Sequence, residues 1–231
     1  MKAKVFCVAL VGCLVALPGV VHAQFFFENF DSYTAGSTIA GQGGWETWGG
    51  DPGANTTVVT THWYSPLNSL NVSGTADIVH QFSGVTSGTW YAKVQTYVPS
   101  NQTGDLYFVI LNRYDGFCAA SGDCDWSVQI RMTASAGEVV SEGGSSNPSS
   151  STPLTLLTGQ WAEILVEINL DMNLYNVYYN GTLLDTMQWS VTGDINVAAF
   201  DLFSNGSSES YMDNVWLDTT IPVELQRFTV D

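Results

Sequence analysis

The chain has 231 residues, of which only 12% are charged, and its formal net charge at pH 7 is −16. So acidic a surface repels nucleic acids and anionic lipids, which excludes both as main partners, and it favours solubility or divalent cations. The length suffices for one large domain with a substantial hydrophobic core.

The first 23 residues are organised like a secretory signal peptide. Two lysines precede an apolar run, residues 5–17, that is too short to span a bilayer, and a small-residue cleavage site ends at Ala23. We therefore expect export, cleavage after Ala23, and a mature protein that is secreted, extracellular or held at the cell surface. The lipobox-like segment before Cys13 leaves open a lipid anchor, although the apolar run continues beyond it. No later segment is apolar enough to insert into a membrane.

The mature chain, residues 24–231, shows no sustained helical periodicity. Short apolar segments instead alternate with clusters of Gly, Asn, Ser and Pro. The segments are TADIVHQFSG, TWYAKVQTYVP, DLYFVILNRY, WSVQIRMTA, WAEILVEINL, LYNVYYNG, TLLDTMQWS, INVAAFDLFS and SYMDNVWLD. This pattern predicts an all-β domain over residues 24–220, a two-sheet antiparallel β-sandwich or jelly roll.

Two stretches between these segments carry specific predictions. Asn180 and Gly181 suit the positive φ angles of a type I′ turn, so the strands around them and the preceding WAEILVEINL are predicted to form a meander. The serine-rich residues 141–153 are predicted to be a long mobile loop. The tail, residues 221–231, is set apart from the domain because Pro222 disfavours a central strand.

Cysteine usage predicts one disulfide. With the signal peptide removed, Cys118 and Cys124 remain, close together in FCAASGDCDW. In an exported chain such a pair is expected to close a small loop as a disulfide. A metal site is the alternative, but His62 and His80 are distant in the sequence.

The order of several motifs resembles the concanavalin A-like lectin/glucanase superfamily. These motifs are FENFDSY, GGW, SPLNSLNVSG, INLDMNLYNVYYNG and YMDNVWL. The resemblance spans nearly the whole mature chain and is similar to the laminin-G-like and carbohydrate-binding jelly rolls of secreted bacterial proteins. It implies that the first and last strands are neighbours, which would bury Phe25, Phe27 or Phe26, and Phe30 beside YMDNVWL.

The same resemblance implies a structural Ca²⁺ held by an acid of the first strand and an aspartate of the last. The matching positions are Glu28, or less well Asp31, and Asp213. Their carboxylate oxygens would clamp both chain ends to the sheet. The alternative is that these acids cap turns or face water.

Signals for catalysis are weak. Glycanases of this superfamily carry clustered acids on one strand, and this sequence lacks that motif. Glu163 and Glu167 share a strand face but would lie about 13 Å apart, whereas glycosidase carboxyl groups lie about 5 to 9.5 Å apart. For a polysaccharide lyase, Gln129-Ile130-Arg131 is only a partial match to the strand triplet, and His80 is a lone strand histidine.

Polar strand faces that carry tyrosines predict a glycan-binding groove. Tyrosine rings stack on sugars, while Gln and Arg donate hydrogen bonds to hydroxyls or carboxylates. By strand alternation, the predicted contacts are Tyr91, Gln95, Tyr97, Arg113, Gln129 and Arg131. Trp45, Trp48 and Trp63 lie in predicted loops, where the indoles either bind a ligand or fold back onto the core.

We therefore expect a secreted, non-catalytic carbohydrate-binding protein that recognises an extracellular polysaccharide or cell-surface glycan on a sheet face. Two alternatives stay open. One is a divergent polysaccharide hydrolase or lyase on the same fold, and the other is a structural surface protein that self-associates.

Overall fold

The computed structural model describes residues 24–118 and 123–221, and within them the chain is almost entirely β. The predicted signal peptide and its cleavage site, and residues 222–231 of the tail, lie outside the described residues. Two short 3₁₀ turns occur, at Trp48–Gly50 and Pro52–Ala54. In the described part of the chain, no helix has the length and apolar character needed to cross a bilayer.

The described residues contain 15 strands, numbered in chain order. They are β1 (Phe26–Glu28), β2 (Trp45–Thr47), β3 (Val58–Val59), β4 (Ser69–Asn71), β5 (Asp77–Gln81), β6 (Thr89–Tyr97), β7 (Asp105–Arg113), β8 (Asp125–Thr133), β9 (Glu138–Ser141), β10 (Leu154–Thr155), β11 (Trp161–Asn169), β12 (Leu174–Tyr179), β13 (Thr182–Gln188), β14 (Ala199–Asn205) and β15 (Tyr211–Asp218).

The strands form two antiparallel sheets. Sheet 1 has the order β13-β12-β11-β6-β15-β4-β3, with β1 also paired to β15, and sheet 2 has the order β10-β9-β8-β7-β14-β5-β2. The core lies between them, because every second residue of each strand turns inward. Sheet 1 contributes Val94 and Ile164, while sheet 2 contributes Phe108, Ile130 and Phe200, all fully buried in one cluster. The predicted two-sheet jelly roll is therefore confirmed.

The two ends of the domain pair as the resemblance implied. Phe27 lies opposite Trp216, and Glu28 lies opposite Val215, in the β1–β15 ladder. Phe30 is fully buried, which contributes about 2–3 kcal/mol to folding. The predicted burial of Phe25 is wrong, because Phe25 is 44% exposed. Of the alternatives Phe27 and Phe26, it is Phe26 that packs against the core.

The predicted meander and its turn are present. β11, β12 and β13 are consecutive neighbours in sheet 1. Asn180 and Gly181 join β12 to β13 with φ angles of 45° and 77°, the positive values that a type I′ turn requires.

The serine-rich segment is a loop after its first residue, as predicted, and its mobility stays a prediction. Its first residue, Ser141, ends β9, and a bridge between Gly143 and Pro148 folds the segment back on itself. The amide of Ser145 donates a hydrogen bond of 2.9 Å to the carbonyl of Trp126. The segment is thus held against the start of β8.

Candidate functional site

The six predicted ligand contacts lie on two opposite faces of the sandwich. Tyr91, Gln95 and Tyr97 belong to β6 of sheet 1, whereas the predicted arginines and Gln129 belong to β7 and β8 of sheet 2. The prediction of one shared groove is therefore wrong. Strand alternation tells whether a side chain faces the core, but it does not tell which sheet the strand joins.

The outer face of sheet 2 carries an apolar cluster separate from the core. Val79, Val109 and Ala199 form part of its floor. The rings of Trp48 and Tyr114, whose centroids lie 5.2 Å apart, cover one side of it. Of the two alternatives for Trp48, binding a ligand or folding back, the structure shows that its indole packs against this cluster.

The loop after β7 is closed by the predicted disulfide, Cys118–Cys124, with Cα atoms 5.2 Å apart. Both cysteines pack against the apolar cluster. Asp115 accepts hydrogen bonds from the amides of Phe117 and Cys118, at 2.8 and 2.7 Å. Together with the two cysteines, Asp115 is the one group of metal-ligating side chains close enough to share an ion in the described residues. Because the sulfur atoms are bonded to each other, the structure favours the disulfide over the metal site.

A β-bulge turns Trp126 onto this face. Strand alternation alone would place Trp126 inward with Val128, but the pairing of β7 with β8 shifts register between them. Trp126 consequently packs against the outer cluster. This residue was missed because a bulge leaves no mark in a simple alternating pattern.

Two adjoining cavities open beside Trp126, with volumes of about 170 and 470 Å³. Both are lined by Trp126 and Gln129, and we refer to the two cavities together as the Trp126 groove. Its other lining residues are Trp48, Asp77, Val109, Glu142, Gly144, Ser145, Pro148, Ser149, Ser150, Asp201 and Phe203. Its size is that of a small-molecule site.

A pair of carboxyl groups lies in the Trp126 groove. Asp77 of β5 and Asp201 of β14 are in hydrogen-bonding contact, and Asp201 is only 5% exposed. Burial, followed by the neighbouring Asp77 charge, raises the pKa of Asp201 well above its usual range. Burial also raises the pKa of Asp77 to about 6. The pair therefore takes up protons at a higher pH than free aspartates do.

The predicted ligand-binding residues of sheet 2 form hydrogen bonds or ion pairs with neighbouring acidic side chains. Gln129 donates to one oxygen of Glu142 at 2.5 Å, and Arg131 donates to the other at 2.6 Å. Arg131 also pairs with Glu138 at 3.2 Å, and these acids raise its pKa. Arg113 pairs with Asp194 at 2.7 Å instead of lining the groove.

The outer face of sheet 1 has its own depression, which we call the Tyr64 pocket. Its volume is about 260 Å³, and it is lined by Tyr64, Gln95, Trp161, Glu163, Asn180 and Gly181. Tyr97, predicted with Gln95, stands beside it, with its ring 5.5 Å from that of Trp161. Tyr91 lies further along β6, opposite Glu167, and does not line the pocket.

The predicted calcium ligands have other roles in the structure. Glu28 accepts hydrogen bonds from the amide of Phe30 and the hydroxyl of Tyr33. Asp213 accepts from the amides of Tyr64 and Ser65, at 2.7 and 3.0 Å. Carboxylates whose oxygens already accept N–H and O–H groups fit a cation site poorly, and they match the turn-capping alternative. Asp31, the weaker candidate, likewise accepts the amide of Asn68. The calcium site stays a prediction.

Glu163 and Glu167 make contacts of a solvated strand face. Glu163 pairs with Lys93 at 3.0 Å, and Glu167 accepts a hydrogen bond from Asn176 at 3.1 Å. Each of the two acids is thus engaged by a neighbouring side chain of sheet 1.

Sequence reasoning missed Asp77 and Asp201 as well as Trp126. Each acid stands alone in an apolar strand, in TADIVHQF and AAFDLF. An isolated acid inside such a strand could have indicated a paired or functional residue, because burying an unpaired charge is costly. The contact between the two acids could not be predicted from the sequence, because β5 and β14 are far apart along the chain.

Comparisons with known proteins agree with this fold. No protein-family model and no curated protein matches the sequence. A sialidase structure is 12% identical with a TM-score of 0.57, and the match covers 86% of this chain but 18% of the sialidase, so this chain spans less than a fifth of that protein. The carbohydrate-binding module CBM66 from Bacillus subtilis is 12% identical with a TM-score of 0.45, covering 79% of this chain and 99% of the module.

A third match is the Caenorhabditis elegans galectin LEC-6, 12% identical with a TM-score of 0.41 over 64% of this chain and 93% of the galectin. At 12% identity, the similarity to the sialidase structure concerns the fold alone. The chain is a concanavalin A-like jelly-roll β-sandwich, as the motif order implied. The function of the chain is therefore inferred from the surface features described above and not from the matched structures.

Proposed function

We propose that this protein binds an extracellular polysaccharide in the Trp126 groove and does not cleave it. The observation that carries the proposal is the groove itself, an open depression in which indole rings stand beside hydroxyl, amide and carboxyl groups. Trp48 and Trp126 offer flat apolar surfaces for sugar rings. Ser145, Ser149 and Gln129 offer hydrogen bonds to sugar hydroxyls.

The charges favour an uncharged polysaccharide. Lys93, Arg113 and Arg131, the cations in the described residues, each pair with a carboxylate. The groove itself is lined by Glu142 and the Asp77–Asp201 pair. A uronate or sulfate would meet repulsion there without a cation to offset it. Neutral glucans, xylans and mannans are therefore the expected ligand class.

The geometry of the acid pair supports binding over hydrolysis. Glycosidase carboxyl groups stand about 5 to 9.5 Å apart so that a sugar carbon or a water fits between them. Asp77 and Asp201 instead hydrogen-bond each other directly. The carboxyl oxygen that each acid keeps without a partner can accept a hydrogen bond from a sugar hydroxyl.

Export is part of the proposal. The lysine-led apolar run and the site ending at Ala23 support secretion, and an oxidising compartment suits the Cys118–Cys124 disulfide. Intact-mass analysis of protein recovered outside producing cells tests this, since cleavage after Ala23 leaves Gln24 as the first residue. A mass that retains the first 23 residues would contradict it.

Affinity electrophoresis tests the binding proposal. Native gels containing β-glucan, xylan, mannan, alginate or pectin would be run with the wild-type protein and with Trp126→Ala. We expect at least one neutral polysaccharide to retard the wild type and Trp126→Ala to weaken retardation about tenfold. Trp63→Ala is the matched control, because Trp63 is 43% exposed and does not line the groove.

Two results would overturn the proposal. One is a wild-type protein that no polysaccharide retards. The other is retardation that Trp126→Ala leaves unchanged while circular dichroism shows both proteins folded. Release of reducing sugar during incubation would contradict the non-catalytic part alone.

A further inference from the structure

We propose that the Tyr64 pocket is a second sugar-binding site, on the face opposite the Trp126 groove, so that one molecule bridges two glycan chains. The inference rests on the proposed function for the class of ligand. It goes beyond that function in assigning a separate site and a cross-linking activity.

The Tyr64 pocket has the composition of a sugar subsite. The rings of Tyr64 and Trp161 lie 6.0 Å apart at 74°, so they form two walls of a corner. Gln95 and Glu163 stand between these walls and the turn at Asn180 and Gly181. An apolar ring face and several polar groups within one small depression match the two surfaces of a pyranose.

The pocket is preformed by contacts on three sides. The buried carboxylate of Asp213 accepts the amides of Tyr64 and Ser65, which fixes the Tyr64 loop over β15. Gln95, only 3% exposed, donates to Glu163 at 3.3 Å, and Lys93 pairs with the same carboxylate at 3.0 Å. Rigid placement of this kind lowers the entropic cost of binding.

The turn between β12 and β13 supplies the third side. The amide of Asn180 donates to the carbonyl of Glu163 at 2.8 Å, which holds the turn beside β11. The amide side chain of Asn180 then adds a further polar group to the pocket. Because Glu163 is acidic and Lys93 is already paired with it, this pocket also favours a neutral sugar.

The position of the pocket gives the second part of the inference. It lies on the outer face of sheet 1, and the Trp126 groove lies on the outer face of sheet 2, with the core between. A single glycan segment cannot occupy both. Two separate sites on opposite faces can instead hold two polysaccharide chains at once, which cross-links them.

Calorimetric stoichiometry tests the inference. Hexasaccharides of β-1,3-glucan, β-1,4-glucan, β-1,4-xylan and β-1,4-mannan would be titrated into wild type, Tyr64→Ala, Trp126→Ala and the double variant. We expect a stoichiometry near two for the wild type, near one for each single variant, and no binding by the double variant. Turbidity with the matching soluble polysaccharide should fall about tenfold in either single variant.

Two control variants distinguish loss of the binding site from loss of the fold. Tyr64→Phe keeps the ring and should keep the wild-type stoichiometry, and Trp63→Ala removes the neighbouring exposed indole without touching the pocket. A wild-type stoichiometry of one that only Trp126→Ala abolishes would overturn the second site and leave the proposed function standing. Binding abolished only by Tyr64→Ala would overturn the Trp126 groove instead, and with it the bridging. No binding of any hexasaccharide by the wild type would overturn both.

Discussion

Asp77 and Asp201 hydrogen-bond each other across neighbouring strands of sheet 2, in a cavity that Trp126 also lines. Each keeps one carboxyl oxygen buried and without a hydrogen-bond partner in the described residues. A buried polar atom without a partner costs stability, and a fold tolerates it most readily where a ligand supplies the missing bond. The pair thus links the stability of the sandwich to its proposed binding site.

Removing one carboxyl of this pair should stabilise the protein at neutral pH. The pKa of Asp77 is raised by burial to about 6, from an ordinary value near 3.8. Protonation of Asp77 therefore stabilises the fold fully below about pH 4, and this contribution is lost as the pH rises through 6. We expect Asp77→Asn to increase the free energy of unfolding by about 1–3 kcal/mol at pH 7.5 and to change it little at pH 4.

Urea unfolding at the two pH values checks this prediction. Asp201→Asn should behave in the same way, because it also removes the second acid of the pair. An Asp77→Asn variant that is less stable than the wild type at pH 7.5 would refute the explanation that burial of the charged carboxylate destabilises the fold. So would an equal gain in stability at both pH values.

Gly144 should be intolerant of a side chain. A Cβ atom at this position would lie 2.5 Å from the carbonyl oxygen of Trp126 and 3.1 Å from Cα of Ser127. Gly144→Ala must therefore push the serine-rich segment away from β8, at a cost of about 1–3 kcal/mol. Because this segment forms one wall of the Trp126 groove, glycan binding should weaken as well.

Thermal melts and affinity electrophoresis of Gly144→Ala measure both effects. Ser135→Ala, in the exposed turn at the other end of β8, is the control and should change neither. If Gly144→Ala kept wild-type stability and wild-type retardation, the segment would not be held as described.

The disulfide should affect both stability and binding. Replacing Cys118 and Cys124 with serine opens a small loop, for which the chain-entropy relation gives about 2 kcal/mol. The loop packs beside Trp48 and Tyr114, so its loosening should also reduce affinity for the glycan that retards the wild type. Unfolding curves of the double serine variant measure the loss of stability, and affinity gels measure the loss of glycan binding. Unchanged retardation would show that this loop does not shape the groove.

Chelation should leave the fold intact. Both carboxylates proposed as calcium ligands accept hydrogen bonds from protein groups, Glu28 from Phe30 and Asp213 from Tyr64. We expect the thermal midpoint to be the same in EDTA and in millimolar calcium. A midpoint that falls by several degrees in EDTA would instead support the calcium site that the family resemblance implies.

The architecture could be read from the sequence because it depends on local signals. Strand alternation and turn residues marked the strands, and Asn180-Gly181 marked one hairpin correctly. The pairing of the first and last strands followed from the order of motifs, and the structure places Phe27 beside Trp216. The strands and the hairpin need no knowledge of which distant strands become neighbours, whereas the pairing of the two chain ends came from the family resemblance.

The candidate site could be predicted only in part, because it is formed by strands that are distant in the sequence. Gln95 and Gln129 were both predicted as ligand contacts and both line depressions, but on opposite faces. Trp126 was missed because a bulge reversed its direction. Asp201 was missed because its partner, Asp77, comes from a strand more than a hundred residues earlier in the chain.

The most direct test of the central claim is a titration of indole signals by nuclear magnetic resonance. The protein contains 8 tryptophans, and ¹⁵N labelling gives each an assignable indole N–H resonance. The titrant is the hexasaccharide that binds in calorimetry. We expect it to shift the indole resonances of Trp48 and Trp126, and that of Trp161 at the second site. The resonances of buried Trp45 and Trp189 should not move. Saturable binding that leaves the resonances of Trp48 and Trp126 unmoved would contradict it.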